Sequence, residues 1–592
     1  MPRSAPVAIL AFCLTVSGCG DAPPPPVDWT AEVAAIADEA WQRTLSQSPY
    51  LQVRQGQLIR ELPDLTPRQA AENVAFARRL LSRIEAIPEA QLTHEDALTL
   101  AILRWDAERT LEGEPFYWLG FPYTPYLSSF GFNFVHQQLP VHPFSEPTAH
   151  TENYLTVLSE YAEQLEQLSA HVDGQVERGI YLSRHALPGV LGLFGSLREI
   201  ARAVMPVADE RLTGLDDDAR AAFQASVEAA IADRVLPAFD RLLAALGSDA
   251  YRANAPDAVG LMHYENGETY YRFLVKLHTT MEVTPEELHE LGERRVAELE
   301  AEMAAIREEV GFSGTRAEFH RKLRTDRQFF AASPEEVEAK FNDYIARIEP
   351  LVPDYFRTIP RAPYGVQRLN PAAEASMTFG YYQPPTPDEP VGRYHYNGSQ
   401  LDERPQIWAG PLIYHELVPG HHFHIAAQSE NESLPLYRRE YLGASAFNEG
   451  WGNYGARLAS EMGLLDDPYD RYGAALFDIF ISARLVLDTG MNLLGWTLDE
   501  GRAYMAEHTF QSETEIATET LRYSTDLNGQ ALAYKAGLEK LLELRLRARE
   551  LAGEAFDIRD FHETVLGSGA MPMSVLVEHV EWAFAEAAAG RS

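Results

Sequence analysis

Pro419 falls inside a run that would otherwise make one helix, His415-Glu416-Leu417-Val418-Pro419-Gly420-His421-His422. A proline there has no N–H to give and collides with the carbonyl of His415, so a straight helix cannot pass through it. Gly420 adds a backbone free to turn. On an unbroken helix His421 would stand about 9 Å above His415 and roughly 240° around the axis, and His422 would return to the same face about 10.5 Å up. A break at Pro419 can bring either His421 or His422 back beside His415. Glu449 follows His421 by 28 residues, in Phe447-Asn448-Glu449-Gly450-Trp451. Two imidazoles and a carboxylate fill three positions of tetrahedral zinc and leave the fourth for water. Glu416, beside the first histidine, is placed to act as general base on that water. The same residues also fit a plainer arrangement, a Pro-Gly surface turn flanked by histidines with Glu449 paired to Arg457.

Around this run the pattern is overwhelmingly helical. Segments 31–46, 67–87 and 95–111 carry apolar residues at i, i+3, i+4 and i+7, with charged faces opposite. Thr66 and Thr93 stand where N-caps belong, and Pro67 occupies the first helical position. Asp216, Asp217 and Asp218 put negative charge at the start of a long helix predicted over 219–246. Thr284-Pro285-Glu286-Glu287 and Ser333-Pro334-Glu335-Glu336 open two more.

Strand signals gather in one place. Segments 364–369, 375–382 and 392–396 are β-rich runs between Pro and Gly breakers, directly before the histidine run. Arg393-Tyr394-His395-Tyr396 is the candidate for an edge strand that pairs with extended substrate, Tyr394 among its contacts. An ordinary structural hairpin fits the segment equally. No fixed-period repeat, phosphate loop or dinucleotide fingerprint is visible. Length suggests two lobes, a helical one over 31–270 and a catalytic one over 271–592.

The run ending at His424 reads F-G-Y-Y-Q-P-P, then Y-H-Y-N-G-S, then R-P-Q-I-W-A-G-P-L-I-Y-H-E-L-V-P-G-H-H-F-H. It resembles the bacterial domain-of-unknown-function family 885, in which Y-Y-x-P-P and H-E-x-x-P-G-H-H segments occur in this order. Further agreement lies at Tyr270-Tyr271 through His289 and at Arg522-Tyr523 through Gly537, so the likeness spans roughly residues 30 to 585. That family in turn is similar to gluzincin-type zinc metallopeptidases. The resemblance implies a mainly α-helical fold, two helical lobes around a cleft, with a small β-sheet beside the interrupted metal-binding helix. It implies one zinc ion held by His415, His421 and Glu449, with Glu416 as base and Tyr523 or Tyr534 as donor to the developing oxyanion. Arg522 could pair with a substrate carboxylate, or serve a structural ion pair. Gln530 and His422 are further candidates for substrate contact, and His422 and His424 for orienting the ligands. One departure stands out: P-G-Q-A is expected where this chain has Asn528-Gly529-Gln530-Ala531.

The N-terminus carries a separate message. Arg3 and an apolar stretch over 5–16, too short to span as a mature helix, end in Val16-Ser17-Gly18-Cys19. This is similar to a bacterial lipoprotein signal, cleaved before Cys19 and lipidated there; an ordinary secretory signal is the other reading. Prolines at 23–26 would form a stiff spacer over 19–30. The one other cysteine, Cys13, lies in the signal, so the mature body has no disulfide. A net charge of −37 argues against nucleic acid or anionic lipid as partner. Together the sequence predicts a lipid-anchored zinc peptidase of the cell envelope, at the outer membrane facing the periplasm, acting on short peptides. A non-catalytic binding lipoprotein, or a zinc hydrolase of a non-peptide amide or ester, is the alternative.

Overall fold

The structure is a computed structural model that describes residues 27–374, 380–387 and 389–589. The expected lipoprotein signal, Cys19 and the prolines at 23–26 lie outside the described residues, while Trp29 and Thr30, at the end of the expected spacer, already belong to the first helix. The fold is mainly α-helical with one small sheet.

The principal helices in chain order begin with α1 (Trp29–Ser46), α2 (Pro67–Glu85), α3 (His94–Gly113), α4 (Pro125–Gln138), α5 (Pro147–Glu177) and α6 (Leu187–Val204). Next come α7 (Asp217–Ala230), α8 (Leu236–Gly247), α9 (Pro285–Glu309) and α10 (Pro334–Ile348). After the sheet follow α11 (Ala409–Glu416), α12 (His421–Glu430), α13 (Ser445–Glu461), α14 (Pro468–Asn492), α15 (Leu532–Ala552) and α16 (Met573–Ala589).

Local chemistry starts these helices where the sequence places caps. The Thr66 and Thr93 hydroxyls accept from the backbone N–H of Gln69 and Asp96, and Asp216 accepts from Ala219. Thr284 and Glu287 form a reciprocal capping box at the head of α9. The helix predicted over 219–246 is instead interrupted by a π-turn at Ile231–Val235. Pro237, just inside α8, cannot donate to the ladder, and the wider turn accommodates it.

Hydrophobic side chains sort into several packed groups. Val33, Ile84 and Leu103 of α1 to α3 share one core with Ile413, Trp451, Leu541 and Leu576 of the C-terminal helices. Tyr161, Phe194, Val227 and Leu242 of α5 to α8 form a second core, joined by Phe132 of α4. A division at about residue 270 is therefore not how the hydrophobic residues are shared: the first three helices belong with the C-terminal ones. Helices α13 and α15 cross with backbones nearly touching at Gly450 and Gly537, where a Cβ on Gly537 would lie 2.0 Å from the Ala446 carbonyl oxygen.

Three strands, β1 (Tyr364–Arg368), β2 (Tyr381–Gln383) and β3 (Gly392–Tyr396), make the sheet in the order β1-β3-β2. Val366 faces Tyr394 in the parallel β1–β3 pair, and Tyr382 faces Tyr394 in the antiparallel β2–β3 pair. The second predicted run falls partly outside the described residues; its described end is β2. The expectation that 393–396 is an edge strand is corrected. β3 is central, and Gly392, Tyr394 and Tyr396 alternate into the core.

Candidate metal centre

The helix breaks where Pro419 demands it. The last bond of α11 runs from Leu417 N–H to the Ile413 carbonyl at 2.9 Å, after which Leu417 turns to φ −110°, ψ −94°. Leu417 to Gly420 redirect the chain, and α12 starts at His421. Gly420 passes so close beneath the first arm that a Cβ there would meet the His415 carbonyl oxygen at 1.8 Å. The turn is pinned from below, where Trp451 Nε1 donates to the Pro419 carbonyl at 2.8 Å.

This folding-back brings the His415 and His421 rings to 4.6 Å between centroids, nearly perpendicular. It also decides between the paired histidines. His422 points to the other side of α12, where Nε2 donates to the Ala362 carbonyl at 3.1 Å and Nδ1 accepts from the Tyr382 hydroxyl at 2.9 Å. His421 faces Glu449 of α13, with 3.5 Å between Nε2 and Oε2; His415 Nε2 stands 3.7 Å from the same oxygen. Arg457, the alternative partner of Glu449, pairs with Glu461 instead.

These residues fit a metal. Zinc–nitrogen and zinc–oxygen bonds of about 2.0–2.2 Å at tetrahedral angles put ligand atoms about 3.4 Å apart. The three donor atoms lie within 4.8 Å of one another, and among the described residues no other His, Cys, Asp and Glu group comes together this way. Burial lowers the His421 imidazole, but Glu449 and Glu416 outweigh it and raise its pKa, so metal would have to displace a proton there. Burial, with His421 nearby, drops the His415 imidazole to about 3, leaving it neutral. Burial would raise the Glu449 carboxyl, but His421, His415 and a hydrogen bond from Tyr534 hold it at about 2. Glu416, at the end of α11, is not among the three. Burial lifts its carboxyl to about 7, with Glu449 adding and His421 subtracting. A carboxylate poised near neutrality beside a metal-binding triad can accept a proton and release it again.

Neighbouring residues fix the ligands. His421 Nδ1 lies 3.3 Å from His424 Nε2, and burial drives the His424 pKa down. The ring of Tyr534 is nearly parallel to that of His415, centroids 6.4 Å apart. Tyr523 is placed differently. None of its surface is open, and its hydroxyl donates to Glu519 while accepting from Arg484 Nε at 2.7 Å. Arg522 is nearly buried and bonds Glu519 at 3.4 Å and Gln530 Oε1 at 2.7 Å, so Gln530 is spent on Arg522. Tyr394 is inside the core, its ring edge-on to Phe341 at 5.5 Å, with Glu416 among the charges that act on its hydroxyl.

The loop after Tyr523 departs from the expected P-G-Q-A, and the structure shows what Asn528 does there. Its Nδ2 donates to Asn492 Oδ1 at 2.8 Å, and Gly529, at φ +80°, donates to the Asp488 carboxylate. Arg522 and Tyr523 come from a π-turn, Arg522–Asp526, that the sequence reading did not anticipate. Sequence reading also missed Tyr126. It belongs to α4, whose first N–H groups cap the Asp526 carboxylate, and its ring lies 4.4 Å under the Arg522 guanidinium.

Fold and site together define a helical protein with a candidate His-His-Glu metal centre at a broken helix. The family described as "Bacterial protein of unknown function (DUF885)" matches residues 49–580, and the chain belongs to it. No curated protein matches the sequence. Among solved structures, a candidate lipoprotein from Colwellia psychrerythraea is similar at 24% identity and a TM-score of 0.82, over 94% of this chain and 99% of that one. A candidate lipoprotein of unknown function from Shewanella oneidensis follows at 19% identity and 0.69, over 93% and 98%. At these identities the likeness establishes the fold.

Proposed function

We propose that this protein is a zinc-dependent peptidase of the bacterial envelope, hydrolysing short peptides. The observation that carries the reading is the meeting of His415, His421 and Glu449 across the broken helix, with Glu416 beside them and free of that triad. Zinc held by these three supplies Lewis acidity and acidifies water at the site. Glu416 removes the proton from the attacking water and passes it to the leaving amine, a task suited to a carboxyl near 7. Tyr534, partly accessible and with its ring beside that of His415, donates to the oxyanion of the addition step. His424 and Tyr382 orient the histidines on either face of α12.

Two candidate lipoproteins among the structural neighbours support an envelope lipoprotein; in this reading the anchor is Cys19 and the body faces the periplasm from the outer membrane. Among the described residues no helix is long and apolar enough to cross a membrane.

The test has two arms. Plasma mass spectrometry of purified protein is expected to give near one zinc per chain, lost in His415→Ala and Glu449→Ala. Glu416→Gln is expected to keep the metal and lose about 10²–10⁴-fold in peptide turnover. A protein that takes up no metal, or an E416Q variant of undiminished turnover, overturns the reading. Metal without turnover of peptides or simple amides and esters points to a binding lipoprotein.

A further inference from the structure

Beside Tyr534, two arginines share one carboxylate. Arg484 Nη2 bonds Glu519 Oε2 at 3.1 Å, and Arg522 Nη1 bonds Glu519 Oε1 at 3.4 Å. Burial works against both cations, but Glu519 and the tyrosine hydroxyls around them outweigh it, and both stay charged. Glu519 in turn is held below the usual carboxylate range against its own burial, mainly by Arg522 and Arg484. Two charged guanidiniums therefore share the one carboxylate that bonds them both, in a chain whose net charge is −37. Asp526, nearby, is engaged by the N–H groups of Tyr126 and Leu127.

Arg484 is next to the candidate metal centre. The Arg484 guanidinium lies 4.4 Å over the ring of Tyr534, and Tyr534 is stacked on His415. Arg484 spends Nε on Tyr523 and Nη2 on Glu519; its Nη1 makes no hydrogen bond among the described residues. Both arginines are buried. Arg484 is 6% and Arg522 7% exposed, and Tyr126 from α4 covers the Arg522 guanidinium. A guanidinium N–H with no hydrogen-bond partner among the described residues, on the Tyr534 side of the metal centre, suits the anionic end of a ligand.

We propose that Arg484, supported by Arg522, receives the free α-carboxylate of a short peptide, so that the protein acts close to the C-terminus. The assignment rests on the peptidase reading above and gives it a substrate class: peptides with an unblocked carboxyl end. Tyr126 is a positioning residue that holds Arg522 under α4.

Binding separates this inference from catalysis. Zinc-loaded Glu416→Gln protein is titrated calorimetrically with tetra-alanine as the free acid and as the C-terminal amide, each with and without N-acetylation. The free acid is expected to bind at least about tenfold tighter than the amide, as a charge-assisted hydrogen bond implies. N-acetylation is expected to change little. In the Glu416→Gln background, Arg484→Gln is expected to collapse the acid-to-amide ratio towards one while leaving amide affinity within about twofold. Arg484→Lys, which keeps the charge and protects the fold, is expected to retain part of the ratio. Equal binding of acid and amide, no binding of either, or a ratio that survives Arg484→Gln overturns the proposal. If the acid is preferred but wild-type protein cleaves neither form, the carboxylate site stands and the peptidase reading fails.

Discussion

The ring of His415 lies against the backbone of Gly452 on α13, so close that a Cβ there would stand 2.7 Å from Cε1 and 2.8 Å from Nδ1. The absent side chain makes the bed for a candidate metal ligand. Gly452→Ala is expected to push the imidazole out of its place while improving helix propensity by up to about 1 kcal/mol. Metal affinity, measured by competition with a chromophoric chelator, should fall by about tenfold or more. The melting temperature of the metal-free protein should move by only a few degrees. Unchanged affinity would show that His415 does not depend on this contact.

In the proposed metal centre His424 would act through His421, whose Nδ1 lies 3.3 Å from His424 Nε2. Partners of this kind fix the tautomer and aim of the ligating ring, and losing one typically costs about 10–100-fold in affinity. His424→Ala is expected to show a loss of that size, and His424→Gln, which keeps an acceptor, to recover part of it. Equal zinc content and affinity in all three proteins would remove His424 from this role.

The two tyrosines that the sequence could not rank are expected to separate cleanly. Tyr534 is partly open and stacked beside His415, so Tyr534→Phe should fold normally and lose about 10²–10³-fold in kcat. Tyr523 is sealed, and its hydroxyl closes a network with Arg484 and Glu519. Tyr523→Phe should therefore destabilise by about 1–3 kcal/mol, seen as a lower denaturant midpoint. Reversal of the two phenotypes would exchange their roles.

What the sequence disclosed was local. The caps at Thr66, Thr93 and Thr284, the position of β3 and the break at Pro419 depend on residues within a few positions of one another. What it withheld depends on direction after a turn or on distant pairing. His421 rather than His422 faces Glu449 because Trp451 holds the Pro419 carbonyl and sets how α12 leaves the break. β3 is central because β1 and β2 pair on its two sides, a fact no single segment encodes. Tyr126 meets Asp526 across 400 positions of chain. The split near residue 231 had a visible sign in Pro237, whose lost N–H bears on the preceding turn.

Asp488 gives the last prediction. It is wholly buried in α14, and its carboxylate takes hydrogen bonds from the Tyr271 hydroxyl at 2.6 Å and from Gly529 N–H. Burial nonetheless lifts its pKa from 3.8 to about 7, because none of these partners is a cation. The folded protein thus keeps a proton that the unfolded chain releases near pH 4. Stability from this group is fully present below that point and declines as pH rises towards 7, by a few kcal/mol in all. Above about pH 7 both states are ionised and the decline stops. Asp488→Asn keeps the carbonyl acceptor for Gly529 and Tyr271 but cannot ionise. Its denaturation midpoint, followed from pH 4 to 8, should fall less steeply than that of the wild type, so that the variant is relatively more stable at pH 8 than at pH 4. Parallel curves would mean that Asp488 stays ionised in the fold, and that Tyr271, Asn492 and Gly529 together outweigh its burial.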